Sequence, residues 1–169
     1  MLFRSETSFR QRNLLYRNLG DSTFQDVSIQ AGLGLLMEKS ARGVAFGDFD
    51  NDGDVDILIN NMNDLPTLLR NNGGNRNRWL QVKTIGTRSN RGGIGARLTV
   101  FYGSERQTDE VRSGGSWASQ SDLRVHFGLG SAERVDRLEI RWPSGLVENL
   151  YDVAGNRVIV VREGEGKAR

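Results

Sequence analysis

Apolar residues fall along this chain in short runs that break every few positions at glycine, asparagine or another polar turn residue. In the N-terminal half the runs predict strands at 14–18, 23–27, 43–49, 55–60 and 67–71, with polar or glycine turns between them. From Trp79 onward the alternation is more regular. WLQVKTIG, ARLTVFYG, LRVHFGLG and VDRLEIRW each show the period of two that marks a strand with one face in a core. That pattern predicts strands at 79–85, 96–102, 108–112, 123–127, 134–142 and 158–162, separated by turns such as SNRGG, SGGS and PSG. Helical spacing is confined to a turn around 147–153.

The first half also repeats itself. NLLYRNLGDSTFQDV (13–27) and PTLLRNNGGNRNRWL (66–80) share an apolar strand, an Arg-Asn pair and a glycine turn. Short strands that restart after one such period predict a solenoid or propeller unit, and only one full period is visible. The second half, with its alternating strands, predicts a small antiparallel β-sandwich. The fold class is therefore all-β: a partial β-propeller of about one and a half blades over residues 1–75, a sandwich over 76–164, and a disordered tail at 165–169.

Composition agrees with a turn-rich globular chain: 169 residues, 37% hydrophobic, 21 glycines and two prolines. Without cysteine there is neither a disulfide framework nor a thiolate metal site. No apolar run approaches the length of a membrane span, and MLFRSETSFRQRN lacks the apolar centre of a signal peptide. Net charge is +2, divided as −3 over residues 1–75 (7 basic, 10 acidic) and +5 over 76–169 (16 basic, 11 acidic). The arginines of the second half stand singly on alternating strands, as on a solvated sheet face, so nucleic acid is not an expected partner.

The densest chemistry lies in GDFDNDGDVDILINN (47–61), which sets five aspartates within nine residues. Like charges a few ångströms apart cost about 1 kcal/mol even in a water-like dielectric. A counter-charge is therefore expected among them. The spacing is D-x-D-x-D-G-x-x-D, with Asp48, Asp50, Asp52, Gly53 and Asp56 at the fixed positions. Alternate carboxylates wrapping onto one centre suit calcium, a hard cation with six to eight oxygen ligands, better than the small octahedral magnesium ion. Gly53 permits the sharp turn, Asp54 is expected to contribute its backbone carbonyl, and Asp56 closes the site. It is not an EF-hand: Ile59 stands where a twelfth-position glutamate is needed, and a strand follows instead of a helix.

On these residues, GVAFGDFDNDGDVDILINN with its flank NLLYRNLGDSTFQDVSIQAGL resembles the FG-GAP/VCBS repeat of integrin-type β-propellers. The stretch from NRWLQVKTIG to RWPSG resembles the ASPIC/UnbV domain that follows such propellers. The resemblance implies calcium held between the first two strands of a blade by Asp48, Asp50, Asp52, Asp54 (through its carbonyl) and Asp56. It also implies an extracellular, periplasmic or cell-surface location. The expected function is a calcium-binding recognition or adhesion-type module that catalyses nothing. Its expected partners are a protein or glycan ligand at the cell surface, together with self-association through unpaired blade edges. Membrane insertion is not expected.

The alternative is a metal-assisted hydrolase acting on glycans or another extracellular substrate, with the acidic loop as its centre. No nucleophile elbow or phosphate loop supports it, since SNRGGIGAR lacks the lysine and helix of the latter. His126, the only histidine, alternates to the face opposite Val125 and Phe127 and reads as structural or simply exposed, not catalytic. Trp117 and Trp142 read as covers on the ends of a sandwich core. If the second half carries a ligand site, Arg97, Ser113, Trp117, Gln120 and His126 are its candidates.

Overall fold

In the computed structural model, residues 9–168 are described, so the polar N-terminal stretch through residue 8 and the final Arg169 lie outside the described residues. The elements are nearly all strands. The first two, β1 (Tyr16–Asn18) and β2 (Phe24–Asp26), pair antiparallel as a small ribbon. Next, β3 (Ala41–Gly47), β4 (Asp56–Asn61) and β5 (Thr67–Leu69) form an antiparallel sheet in that order, a three-stranded partial blade.

The second half builds two facing sheets. One has the order β11 (Val125–Gly130), β6 (Arg78–Ile85), β14 (Arg157–Arg162); the other runs β13 (Val147–Ala154), β12 (Arg134–Arg141), β7 (Arg97–Tyr102), β8 (Glu105–Glu110). A short hairpin, β9 (Gly115–Ser116) with β10 (Ser119–Gln120), projects from the connection between β8 and β11. The core fills the space between the sheets. Leu80, Val82, Phe127 and Val161 meet Leu98, Val100, Leu138 and Ile140, all essentially inaccessible to solvent. Burying each such side chain is worth roughly 1.5–3 kcal/mol, so the sandwich is the stable part of the molecule. Among the described residues before Trp79, only Leu35 and Ile59 are buried hydrophobics.

The partial blade is therefore held by neighbours more than by a core of its own. One edge of β3 is covered by the hairpin connection. Ser116 Oγ accepts from the Val44 N–H (3.1 Å), Ser121 Oγ accepts from the Phe46 N–H (3.2 Å), and Ser119 Oγ donates to the Val44 carbonyl (2.8 Å). The Asp122 N–H completes this covering by donating to the Phe46 carbonyl at 2.8 Å. The far edge, along β5, has no strand partner among the described residues.

Three expectations from sequence need correction. Residues 147–153 form strand β13 instead of a helical turn. Leu150 and Val153 both reach the core because the strand changes phase at Asp152, whose φ of 57° is left-handed, and this mimics helical spacing. The sandwich is not wholly antiparallel, since β14 returns from the opposite sheet to lie parallel to β6. The tail is also tied down over its described part: Gly166 N–H donates to Glu148 (2.8 Å), and Ala168 bridges to Val161.

Buried carboxylates fix the end of the sandwich. Glu163, 3% exposed, accepts three backbone N–H bonds from Thr87, Arg88 and Ser89, each at 2.8 Å. It also accepts the hydroxyls of Ser89 and Ser144. Burial works to raise its pKa, but these donors outweigh it and hold the carboxyl at about 2, below its ordinary 4.5. A depressed carboxylate stabilises the fold fully above its ordinary pKa, and the contribution fades as pH falls from about 4.5 towards 2. Glu163→Gln is expected to cost about 1–3 kcal/mol near neutrality. It should also flatten the acid limb of stability against pH, as read by denaturant unfolding at several pH values. An acid limb unchanged by the substitution would contradict this.

Candidate metal centre

The connection between β3 and β4 turns back on itself because Asn51 and Gly53 take positive φ, 59° and 96°. That path brings carboxylate oxygens of Asp48, Asp50 and Asp56 within 4.8 Å of one another. Asp48 and Asp56 are buried, each 2% exposed, while Asp50 opens to solvent.

Backbone donors hold the acids in position. Asp48 accepts the N–H groups of Asp52 and Gly53, both at 3.0 Å. Asp56 accepts from Phe49 (3.2 Å) and from Asn71 (2.8 Å), which lies just past β5. Asp52 stands outside the three-carboxylate cluster. One of its oxygens accepts the Asp54 N–H at 2.9 Å, and the other lies 3.7 Å from the Arg70 guanidinium. Arg70 also pairs with Asp50 at 3.1 Å. The Asp54 side chain is buried at 1% exposure and takes the Gly74 N–H at 3.0 Å. Its other oxygen is buried without a hydrogen-bond partner.

The sandwich supplies the rest of the cradle. Gln81 Nε2, on β6, donates to the inner oxygen of Asp48 at 2.7 Å. Arg124 reaches across from just before β11 to the Asp48 carbonyl and to Asn51 Oδ1, both at 2.6 Å, while its Nε pairs with Asp122 at 2.5 Å. Trp79 lies directly against the loop, so closely that a Cβ on Gly53 would sit 2.1 Å from its indole nitrogen. His126 stacks on Trp79 at 6.2 Å between ring centroids. Burial lowers its pKa, outweighing the attraction of Asp48 and Asp54 that would raise it, so the ring favours the neutral form.

The sequence located the acidic loop but not these partners. Gln81, Trp79 and Arg124 lie dozens of residues from it, and the one available signal was the polar and aromatic side chains on the non-core face of WLQVKTIG. The other candidates do not gather. Of Arg97, Ser113, Trp117, Gln120 and His126, only His126 lines the cleft of about 370 Å³ beside the loop. Trp117 is 75% exposed rather than covering the core, and Gln120 is occupied within its own hairpin, accepting the Gly114 N–H at 2.8 Å. Trp142 does close the core, with Nε1 bonded to Glu148 at 2.6 Å.

The cradle fits a hard cation. The carboxylates of Asp48, Asp50 and Asp56 converge, no ion pair is formed by Asp48, Asp54 or Asp56 among the described residues, and one buried Asp54 oxygen has no hydrogen-bond partner. Since Gly53 combines positive φ with contact against Trp79, Gly53→Ala is expected to lower stability by more than about 1 kcal/mol in chemical denaturation. A neutral result would mean that the loop does not rest on the sandwich in solution.

Comparison with known proteins places the two halves separately. Residues 3–59 match the family model "FG-GAP-like repeat", and residues 86–168 match "ASPIC and UnbV". Both describe repeat or adhesion-type modules, and neither is a catalytic family. Cartilage acidic protein 1 of Xenopus tropicalis is 43% identical over 51 residues, and that of Homo sapiens is 45% identical over 51 residues. Each match covers 30% of this chain and 8% of the relative's length. No helix among the described residues is long and apolar enough to cross a membrane. One segment of the chain, which carries the aspartate loop, thus matches an FG-GAP-like repeat and a second segment matches ASPIC and UnbV, while a 51-residue stretch is similar to cartilage acidic protein 1.

Proposed function

We propose that this chain is a calcium-binding recognition or adhesion-type module of the extracellular, periplasmic or cell-surface space, in which calcium is structural and not catalytic. The observation that carries the calcium assignment is the convergence of Asp48, Asp50 and Asp56 within 4.8 Å, two of them buried without a cationic partner among the described residues. Buried charges are normally paired or bound to a metal. Bound there, calcium would be held by Asp48, Asp50 and Asp56, with Asp52 and the Asp54 carbonyl as further oxygen donors, and would supply the missing positive charge. The chain's own residues set the rest: backbone N–H groups orient the inner carboxylates, and Gln81 and Arg124 keep the loop against the sandwich.

The partner proposed is a protein or glycan at the cell surface. The partial blade favours an interaction role because Phe49, Leu58 and Leu68 stay about half exposed beside an unpaired β5 edge, which also favours self-association. The similarity to cartilage acidic protein 1 and to the FG-GAP-like repeat supports an extracellular setting.

The test is calorimetric titration with calcium, with melting followed in calcium and in chelator. Saturable binding near one ion per chain should raise Tm, because a ligand at 100 times its Kd adds about 2.7 kcal/mol of stability. Asp50→Asn removes a solvent-facing ligand without disturbing a buried one. It should abolish most of the calcium-dependent rise while leaving the melt in chelator nearly unchanged, since exposed ion pairs contribute only about 0–1 kcal/mol. Equal losses in both conditions would defeat the structural-calcium assignment.

A further inference from the structure

Resting on the cation-binding reading, we infer that Arg70 is a built-in competitor for the loop's cation, and that the need to displace it makes the site select divalent over monovalent ions. The Arg70 guanidinium lies 3.1 Å from Asp50 and 3.7 Å from Asp52. Asp50 belongs to the cluster that would hold the metal. The same carboxylate therefore faces two claimants. An arginine cannot shed its proton at any physiological pH, so this is a fixed positive charge and never a neutral spectator.

Its position lets it leave. The side chain is 55% exposed and the acids it meets are about a quarter exposed, so swinging into water requires little desolvation. The backbone beneath it need not follow. Asn71 N–H remains bonded to Asp56, and Gly74 N–H to Asp54, so residues 70–74 form a strap that stays in place while one side chain exchanges. The arginine thus acts on a site that is otherwise preformed.

Selectivity follows from charge. A monovalent ion that displaces Arg70 from Asp50 exchanges one positive charge for another at that shared carboxylate, so it gains little electrostatic energy there. A divalent ion replaces one charge by two, next to buried carboxylates whose repulsion remains only partly offset. The guanidinium therefore raises the threshold for every cation but excludes only the weaker charge. It also offsets part of the repulsion when no ion is bound.

The experiment compares the wild-type chain with Arg70→Gln and Arg70→Ala by calorimetric calcium titration at fixed ionic strength, first in tetramethylammonium chloride and then in sodium chloride. A cooperative melt in chelator establishes that each variant is folded. Both variants should bind calcium roughly three- to tenfold more tightly, the factor corresponding to loss of one or two exposed ion pairs. Replacing tetramethylammonium by sodium should weaken calcium binding in the variants more than in the wild type, because sodium can now enter the loop. Binding by the variants alone would support the inference in its strongest form. Unchanged or weaker calcium affinity would overturn it, as would an equal sodium effect in all three proteins. If wild type and variants all fail to bind, the cation reading falls and this inference with it. If the wild type binds and the variants match it, only the inference falls.

Discussion

Repulsion among the carboxylates of residues 48–56 is the constraint around which the partial blade and its support are arranged. Two like charges 4 Å apart cost about 4 kcal/mol at an effective dielectric of 20, comparable with much of a small domain's stability. Three of the five acids, Asp48, Asp54 and Asp56, are nevertheless buried. Backbone N–H groups of residues 49, 52, 53, 71 and 74 point at them, and Gln81 adds an amide from outside the loop. These are dipoles, which orient and partly screen negative charge but do not cancel it. The net charge left over is what makes the loop a candidate cation site, and it places the Arg70 guanidinium beside Asp50 and Asp52.

The second consequence is mechanical. A three-stranded sheet with few buried apolar side chains is a poor folding unit, since small sheets need packing against something else to persist. Here that support is the sandwich. Serine hydroxyls of the hairpin connection satisfy the open edge of β3, Trp79 lies under Gly53, and Arg124 spans from Asp122 to the loop's own carbonyl. The acidic loop is thus both a candidate ion site and the joint by which the blade rests on its neighbour. Whatever changes the charge in the loop acts on that joint through Asp48, which touches loop and sandwich at once.

Much of the fold was legible in the chain because its strands alternate cleanly. On β6 and β11, Leu80, Val82, Val125 and Phe127 turn inward as the period of two requires. Failures came where the period broke for a three-dimensional reason. Asp152, in a left-handed conformation, puts Leu150 and Val153 on one side, so a strand carried the spacing of a helix. The parallel direction of β14 left no local mark, because direction depends on how the chain returns between two sheets. The tail at 165–169, EGKAR, looked disordered because it is short and mostly polar, whereas its described part is held by Glu148, a carboxylate earlier in the chain, and by the bridge of Ala168 to Val161.

At the site the division is similar. The sequence by itself determined the loop: alternate aspartates and one glycine in nine residues dictate a turn that gathers negative charge, because ligand spacing within a short loop is a local property. Tertiary structure decided which acids meet, which are buried and what stands against them. Asp48, Asp50 and Asp56 converge, Asp52 turns to Arg70, and Asp54 faces inward. Gln81 comes to the loop from β6 and Arg124 from just before β11, in stretches whose sequence spoke only of a sandwich. Their roles could not be read along the chain, since a hydrogen bond between residues 33 positions apart depends on how two sheets pack and not on either residue's neighbours.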